Sequence, residues 1–199
     1  ANAGTYAVKA TAGGVELMSS PAQVRVLLDA PVITSVTPAS QVKLAGQSAA
    51  LTAVASGNGT LLYQWLKDGV AVAGGTASTL AISSMGLANA GSYRVEVRNE
   101  SGAVQSAAVR VELLGFTQQP QGGSVAFGAP IVLNTQAQAG EADVTYQWYK
   151  DAQLLAGATS SSLSVASATL ANAGTYAVKA IAGGVELMSS SVRVGVLLD

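Results

Sequence analysis

The chain has 199 residues, of which 10 are Lys or Arg and 11 are Asp or Glu, so its net charge is -1 at pH 7. The basic residues are scattered singly and form no patch that would neutralise phosphates, so we expect no nucleic-acid partner. The absence of Cys and His excludes thiolate chemistry, disulfides and the commonest neutral-pH base and metal ligand. No apolar run reaches membrane-spanning length, so we expect no membrane span in this segment.

One phrase occurs three times and sets the organisation of the chain. Its near-identical copies, of the form Ala-Asn-Ala-Gly-Thr/Ser-Tyr, start at residues 1, 88 and 171. In the second and third copies a Trp precedes the Tyr by the same distance: Trp65 precedes Tyr93, and Trp148 precedes Tyr176. A constant spacing between a Trp and a turn followed by Tyr indicates one structural unit that has been copied.

The first predicted unit, residues 1–29, is a two-stranded hairpin. Tyr6, Val8 and Ala10 alternate with their neighbours in the pattern of a half-buried strand, and two glycines then turn the chain into a return strand. Residues 171–199 repeat this unit without a gap, with 24 of 29 positions identical. Two strands alone are marginal in water, so we expect a longer chain or another molecule to complete the hairpin. The 170-residue period predicts two alternating kinds of module and further copies in the parent protein.

The second predicted unit, residues 30–114, is a series of short strands with alternating apolar positions. Two prolines near its start favour an edge strand, since proline cannot donate a hydrogen bond to a central ladder. Strands of period two are predicted around Trp65 and around Tyr93 and Val95, with Tyr93 and Val95 pointing inward.

The third predicted unit, residues 115–199, follows the same plan, with Trp148, Tyr176 and Val178 in the inward positions. The connection between the second and third units, residues 113–116, is short and apolar. We therefore expect a semi-rigid joint there and no floppy tether.

One turn differs between the two units. Asp68 and Gly69 predict a two-residue hairpin turn in the second unit, whereas the third has Asp151 and Ala152 at those places. Because Ala tolerates positive φ poorly, we expect a different turn type at residues 151–152.

The order Tyr-Gln-Trp-x-Lys-Asp, Leu-x-Ile and Ala-Asn-Ala-Gly-x-Tyr-x-Val resembles the immunoglobulin fold, in particular the cysteine-free, I-set-like domains found in tandem on large bacterial surface and secreted proteins. The resemblance implies an all-β chain of tandem immunoglobulin-like β-sandwiches with Greek-key connections. It divides the chain into a partial module of strands F and G (1–29) and two complete modules (30–114 and 115–199). It also implies a Trp on strand C and a corner Tyr that caps nearby backbone between strands E and F. The structural-core residues implied in this way are Trp65, Trp148, Tyr6, Tyr93, Tyr176, Val95 and Val178.

Two departures from the family follow from the same comparison. Where vertebrate relatives carry a disulfide, this chain has Val95 with Ala53 and Val178 with Thr135. Loss of such a bridge costs about 2–5 kcal/mol in small domains, so Trp packing and β-branched residues must supply the stability. The corner phrases carry Asn where the family usually has Asp, so we expect amide hydrogen bonds there and no Asp–Arg ion pair.

The polar candidates for a site are few. Glu141 and Asp143 lie in one predicted loop and could supply oxygen ligands to calcium, but a solvated loop is favoured. Asp29 and Asp199 lie at module junctions, where bound calcium could stiffen the joint, but no recurring acidic cluster lies beside them. The patterns starting at Asn58 and Asn99 match the glycosylation acceptor at a frequency close to chance. Tyr149 must face outward because Trp148 points inward.

No catalytic residue, cofactor site or metal site is predicted, because nothing supplies a nucleophile with a base, a metal site or a phosphate loop. A charged fraction of 11% is typical of extracellular polymers or packed arrays, and equally of an Ala-rich domain from a high-GC genome. The predicted function is structural: beads in an extracellular stalk, adhesin or self-associating filament whose partners are other copies of itself. The alternative is a ligand- or glycan-binding or spacer module that accompanies a secreted enzyme.

Overall fold

The computed structural model describes residues 2–26 and 29–198, and almost all regular structure in it is β-strand. The exceptions are two single turns of 3-10 helix, Leu87–Asn89 and Leu170–Asn172, which begin one residue before the second and third copies of the repeated phrase and end inside them. The all-β prediction is therefore confirmed, and the strands fall into an N-terminal hairpin and two sandwiches.

The two sandwiches are numbered after the second and third units of the chain. The second sandwich is built from nine strands that form two facing sheets. One sheet has the order β10-β7-β5, and the other has the order β6-β13-β11-β8-β9 with β12 paired to β11. All these pairs are antiparallel except β6 with β13, which run parallel. The strands are β5 (Val32–Thr37), β6 (Ser40–Lys43), β7 (Ala49–Ser56), β8 (Leu62–Lys67), β9 (Val70–Ala71), β10 (Thr79–Ile82), β11 (Gly91–Asn99), β12 (Gly102–Gln105) and β13 (Val109–Leu113).

The third sandwich repeats this topology. Its larger sheet has the order β15-β23-β21-β18-β19 with β22 on β21, and β15 runs parallel to β23. The facing strands pair as β14-β17 and β16-β20. The strands are β14 (Gly115–Gln118), β15 (Gly123–Ala126), β16 (Ile131–Asn134), β17 (Gln136–Gln138), β18 (Thr145–Lys150), β19 (Gln153–Leu154), β20 (Ser162–Val165), β21 (Gly174–Ala182), β22 (Val185–Met188) and β23 (Val192–Leu197).

Strict alternation of apolar residues places one core between the two sheets of each sandwich. In β11 of the second sandwich, Tyr93, Val95 and Val97 are buried and the residues between them are not. Trp65, on the neighbouring strand β8, lies directly opposite Val95 and is fully buried. Trp148 on β18 lies opposite Val178 on β21 in the same way. A Trp that spans the space between the sheets thus occupies the centre of each core.

The N-terminal hairpin contains four short strands. Two pairs form, β1 (Gly4–Tyr6) with β4 (Ala22–Val24) and β2 (Lys9–Ala12) with β3 (Val15–Met18). Every described residue of these strands is exposed, so the predicted half-buried pattern is wrong within residues 2–26. The physical reason is that none of the strands described here faces this hairpin.

Candidate functional site: the joint between the second and third sandwiches

A third apolar cluster joins the second sandwich to the third. It combines Val42 on β6 and Leu114 in the connection with alanines from two strands and a loop of the third sandwich. Leu114 is almost completely buried, and partly buried residues of the third sandwich such as Val185 and Leu187 pack around the cluster. Its buried members are Val42, Leu114, Ala137, Ala139, Ala180 and Ala182. Burial of apolar surface between two domains restricts their relative motion.

Small residues allow the two sandwiches to approach closely. Gly183, in the turn after β21, has φ 54° and faces Val42; a Cβ built on Gly183 would lie 2.6 Å from Val42 Cγ2. Two side-chain carbon atoms cannot pack at that distance. Only Gly fits at residue 183 with this joint geometry, both for its backbone conformation and for its lack of a side chain.

A buried carboxyl group adds a directional contact to the joint. Glu112 on β13 accepts two backbone hydrogen bonds from the third sandwich, one from the Glu141 N–H at 2.9 Å and one from the Ala142 N–H at 3.1 Å. Gly140, with φ 57°, passes so close that a Cβ there would be 2.7 Å from the Glu112 carboxyl carbon. Both carboxyl oxygens of Glu112 are thus used to hold one loop of the third sandwich, which fixes its orientation as well as its distance.

The residues considered for calcium have other surroundings in the structure. Glu141 forms an exposed ion pair with Arg110, 2.6 Å apart, and an exposed pair of this kind contributes little to stability. Asp143 is exposed, and the described residues contain no group of three acidic, His or Cys side chains suited to a metal ion. Asp199 lies outside the described residues.

Asp29 is hydrogen-bonded to two asparagines of the second sandwich. Its carboxylate accepts a hydrogen bond from the Asn58 side-chain amide at 3.1 Å, and its backbone carbonyl accepts one from the Asn99 amide at 2.6 Å. The same Asn99 amide donates to the Asn58 carbonyl at 2.9 Å. Both candidate glycosylation asparagines, Asn58 and Asn99, therefore use their side-chain amides in hydrogen bonds with Asp29.

The corner tyrosines make the same hydrogen bond in all three copies. The hydroxyl groups of Tyr93 and Tyr176 donate to the carbonyls of Asn89 and Asn172 at 2.6 and 2.7 Å. Burial raises the pKa of both Tyr93 and Tyr176. Tyr6 makes the equivalent bond at 3.0 Å, but its ring is 51% exposed, so the assignment of Tyr6 to a structural core is corrected. Its ring is exposed because no described strand covers the hairpin.

The Asn of each corner phrase contributes a further bond. Its side-chain oxygen accepts the backbone N–H three residues earlier, at Gly86 for Asn89 (3.1 Å) and at Thr169 for Asn172 (2.8 Å). These hydrogen bonds close the two 3-10 turns, since Asn side chains readily bond to the backbone of their own turn.

A Lys-Asp pair recurs at the end of β8 and of β18, as Lys67-Asp68 and Lys150-Asp151, and the two carboxylates do more than start a turn. Asp68 accepts a hydrogen bond from the Ser92 N–H at 2.9 Å, and Asp151 accepts one from the Thr175 N–H at 2.8 Å. Each carboxylate thus connects its hairpin turn to the start of the neighbouring strand in the sheet, β11 or β21. Hydrogen bonds from the adjacent lysine and from that backbone N–H lower the pKa of both aspartates. The sequence contains a signal for this contact, because an Asp precedes both Ser92 and Thr175 by 24 residues.

The two turns have the same conformation, so the prediction of a different turn at residues 151–152 is wrong. Asp68 and Gly69 have φ 49° and 84°, while Asp151 and Ala152 have φ 48° and 64°. Each turn joins two strands through two residues, which favours a type I′ turn with positive φ at both places. The strand pairing imposes this conformation on Ala152 at a cost in backbone energy.

Tyr149 is partly exposed and lines an open depression on the outer face of the third sandwich, together with Ala177, Lys179 and Met188. The Lys179 ammonium lies 5.7 Å from the centre of the Tyr149 ring and 2.8 Å from Glu186. Hydrogen bonding to Glu186 raises the pKa of Lys179.

Two sandwiches of one topology, each with a central Trp and a Tyr corner and joined through a buried contact, define a tandem of immunoglobulin-like domains. A family model described as the immunoglobulin domain matches residues 30–99. None of the described helices, each a single turn, has the length or apolarity needed to cross a membrane.

The chain is similar to several solved tandems of immunoglobulin domains. A three-domain titin fragment, an E-to-A mutated variant, matches with TM-score 0.64 and 17% identity over 98% of this chain and 75% of that chain. A Dscam structure matches with TM-score 0.54 and 17% identity (97% and 54%), and Sidekick-1 immunoglobulin domains 1–5 match with 0.51 and 22% (84% and 38%). This chain thus spans about half or less of the Dscam and Sidekick-1 chains. At such identities the likeness concerns the fold, and it confirms the predicted tandem of immunoglobulin-like β-sandwiches.

Proposed function

We propose that this chain is a structural segment of a repeat protein outside the cell, in which immunoglobulin-like beads build a stalk, an adhesin or a self-associating filament. The modules would be residues 1–29, 30–114 and 115–199, with the cores around Trp65 and Trp148. The role is mechanical spacing and display, without enzymatic activity. The cysteine-free, I-set-like domains of bacterial surface proteins are the relatives we propose for it.

The observation that carries this proposal is the joint. The Glu112 carboxyl group holds two backbone N–H groups of the third sandwich, and Leu114 is buried between the two sandwiches. A flexible connection would allow each bead to tumble independently and would shorten the mean distance that a chain of beads spans. A buried, hydrogen-bonded joint keeps successive beads at a fixed angle, which suits a projecting stalk.

A distance measurement across the joint tests the proposal. The chain has no Cys, so Ser84→Cys and Ser167→Cys, exposed at equivalent places in the two sandwiches, provide unique sites for spin labels. Pulsed electron paramagnetic resonance is expected to give one narrow distance distribution. Glu112→Ala should broaden it, whereas the matched control Glu96→Ala should leave it unchanged, because Glu96 lies on β11 and accepts its hydrogen bond from Gln105 of the same sandwich. A broad distribution in the parent chain would remove the basis for a fixed joint.

The extracellular location needs its own test. Antibodies raised against the folded chain should label intact cells of the source organism, and electron microscopy of native material should show projecting rods or filaments. Labelling that requires permeabilised cells would refute the location while leaving the rigid joint intact.

A second candidate, a ligand- or glycan-binding module that accompanies a secreted enzyme, is favoured by the depression around Tyr149. The equivalents of Tyr149, Lys179 and Met188 in the second sandwich are Leu66, Glu96 and Gln105, so this surface belongs to the third sandwich alone. An aromatic ring beside apolar and charged groups is the kind of surface on which a sugar stacks. Nuclear magnetic resonance titration with oligosaccharides should then perturb signals around Tyr149, and Tyr149→Ala should abolish this while Leu66→Ala should not. Unperturbed spectra across a broad glycan set would discard this candidate.

A further inference from the structure

Strand β10 (Thr79–Ile82) forms one edge of the smaller sheet of the second sandwich. Strand β7 pairs with it on one side, and no strand of the described residues pairs with it on the other side. The chain reaches β10 directly from β9 through residues 72–78, which contain no strand. The outer side of β10 is therefore open.

The register of β10 shows which backbone groups that open side presents. The Ala53 N–H donates to the Ser78 carbonyl at 2.8 Å, so Ser78 and every second residue after it direct their backbone groups toward β7. The N–H and C=O groups of Thr79 and Ala81 point the other way. The described residues supply no hydrogen-bond partner for these outward groups.

The β10 edge lacks the features that protect such strands. Exposed edges usually carry Lys, Pro or an inward-pointing charge, which hinders pairing with another molecule. Residues 69–93 contain no charged side chain and no Pro. Thr79 and Ala81 are both exposed, and their side chains are small. An uncharged edge with small side chains permits the approach of a second strand.

An open groove of about 510 Å³ lies beside this edge. Residues of β10 line it together with Val72, from the connection to β10, and with Lys67 and Tyr93 of the facing sheet. Because the lining comes from both sheets, the groove opens at the side of the sandwich where β10 ends the smaller sheet. The space beside β10 is therefore not filled by this chain.

We propose that β10 pairs antiparallel with β10 of a second copy of this chain, about a two-fold axis at Leu80. Thr79 of each copy then lies opposite Ala81 of the other copy, and each of these two pairs exchanges both of its N–H···O hydrogen bonds. The smaller sheets of the two copies become one continuous sheet.

The edge is complementary to itself, which is why a second copy is the occupant. Every outward N–H of one copy meets an outward C=O of the other in this arrangement. The two strands carry no charge, so identical edges do not repel each other. The side chains that come side by side on the exposed face are those of Thr79 and Ala81, which leave room for both strands.

The expected strength follows from the size of the contact. The paired edges share only a few backbone hydrogen bonds, so one pair of copies should associate weakly, with a dissociation constant on the order of millimolar. Several such edges along one filament would act together and raise the apparent affinity. The inference rests on the self-association part of the proposed function and names its surface, and it is independent of the joint at Glu112.

The N–H groups of β10 provide the test within one strand. The relaxation of each amide signal by a soluble paramagnetic probe measures how far that N–H is exposed to solvent. In the full chain the effect on Thr79 and Ala81 should fall by about half or more between micromolar and millimolar concentration, because half or more of the chains are then paired. The effect on Leu80 and Ile82, whose N–H groups face β7, should stay low throughout. Sedimentation should show a dimer over the same range.

A proline at residue 81 removes an outward donor from each copy. Proline is tolerated at an edge where its N–H would face away from the sheet. Ala81→Pro should abolish the concentration dependence at Thr79 and leave the indole signal of Trp65 at its native position. The matched control Ser164→Pro, at the equivalent place in β20, should leave that concentration dependence unchanged. If Ala81→Pro unfolds the second sandwich, Ala81→Lys gives the test, because it places a charge in each edge and keeps the backbone groups.

Three results would overturn the proposal. One is a probe effect on Thr79 and Ala81 that stays the same up to millimolar concentration. Another is a dimer that persists in the folded Ala81 variants. The third is protection that appears only after an extended peptide of another protein is added, since the occupant would then not be a second copy. None of these results alters the spin-label distances across the joint, so failure here is distinguishable from failure of the proposed function.

Discussion

Residues 69 and 152 allow a reciprocal test of the turn geometry, since both have positive φ but only one is Gly. Ala152 has φ 64° and Gly69 has φ 84°, and a Cβ on Gly69 would meet no atom within 4 Å, so exchange of the two residue types changes backbone energy without a clash. An L residue in the left-handed region costs about 1–2 kcal/mol, and the flexibility that Gly adds to the unfolded chain offsets roughly 0.4–1 kcal/mol of that. Ala152→Gly should therefore stabilise the third sandwich by about 0.5–1 kcal/mol, and Gly69→Ala should destabilise the second by a similar amount.

The assay must separate the two sandwiches, and the chain has one Trp in each core. The indole N–H signals of Trp65 and Trp148, followed through a urea titration by nuclear magnetic resonance, give an unfolding midpoint for each sandwich. Ala152→Gly should raise the midpoint of the Trp148 signal, and Gly69→Ala should lower that of Trp65. If Ala152→Gly lowers the Trp148 midpoint while Gly69→Ala has no effect, the backbone argument for these turns is wrong.

Three further predictions concern single contacts. Thr135→Val should destabilise the third sandwich by about 0.5–1.5 kcal/mol in urea denaturation, because the buried Thr135 hydroxyl donates to the Gln118 carbonyl at 2.8 Å and Val cannot make this hydrogen bond. Tyr93→Phe should cost about 0.5–1.5 kcal/mol for the lost corner bond, while Tyr6→Phe should leave both Trp midpoints unchanged. Because the pKa values of Asp68 and Asp151 are lowered in the folded chain, their stabilisation is present above the ordinary Asp pKa of about 3.9 and is lost as pH falls through the folded values. The double variant Asp68→Asn/Asp151→Asn should therefore show a flatter decline of stability between neutral and acid pH; an unchanged acid profile would contradict this.

Periodicity and the spaced Trp and Tyr predicted the sheets because both signals are local. Alternation in β11 marks an inward face wherever a second sheet exists, and a copied Trp-to-Tyr spacing marks one unit regardless of its neighbours. The short apolar connection likewise predicted a restricted joint. The sequence did not reveal which side chains form that joint, because Glu112 and Glu141 are far apart in the chain and look like ordinary surface residues.

Two predictions made from local sequence are wrong: the turn type at residues 151–152 and the burial of Tyr6. Ala152 follows the conformation that the pairing of β18 with β19 requires, so the fold overrode the preference of the residue. Tyr6 and Tyr176 share their local sequence and their corner hydrogen bond, yet only Tyr176 is buried. Sequence by itself determined the strands, the corners and the copied unit, since these depend on neighbours along the chain. Only the tertiary structure decided which copy of the repeated hairpin is buried and which hydrogen bonds form the joint, because both depend on which distant strands pack against a given face.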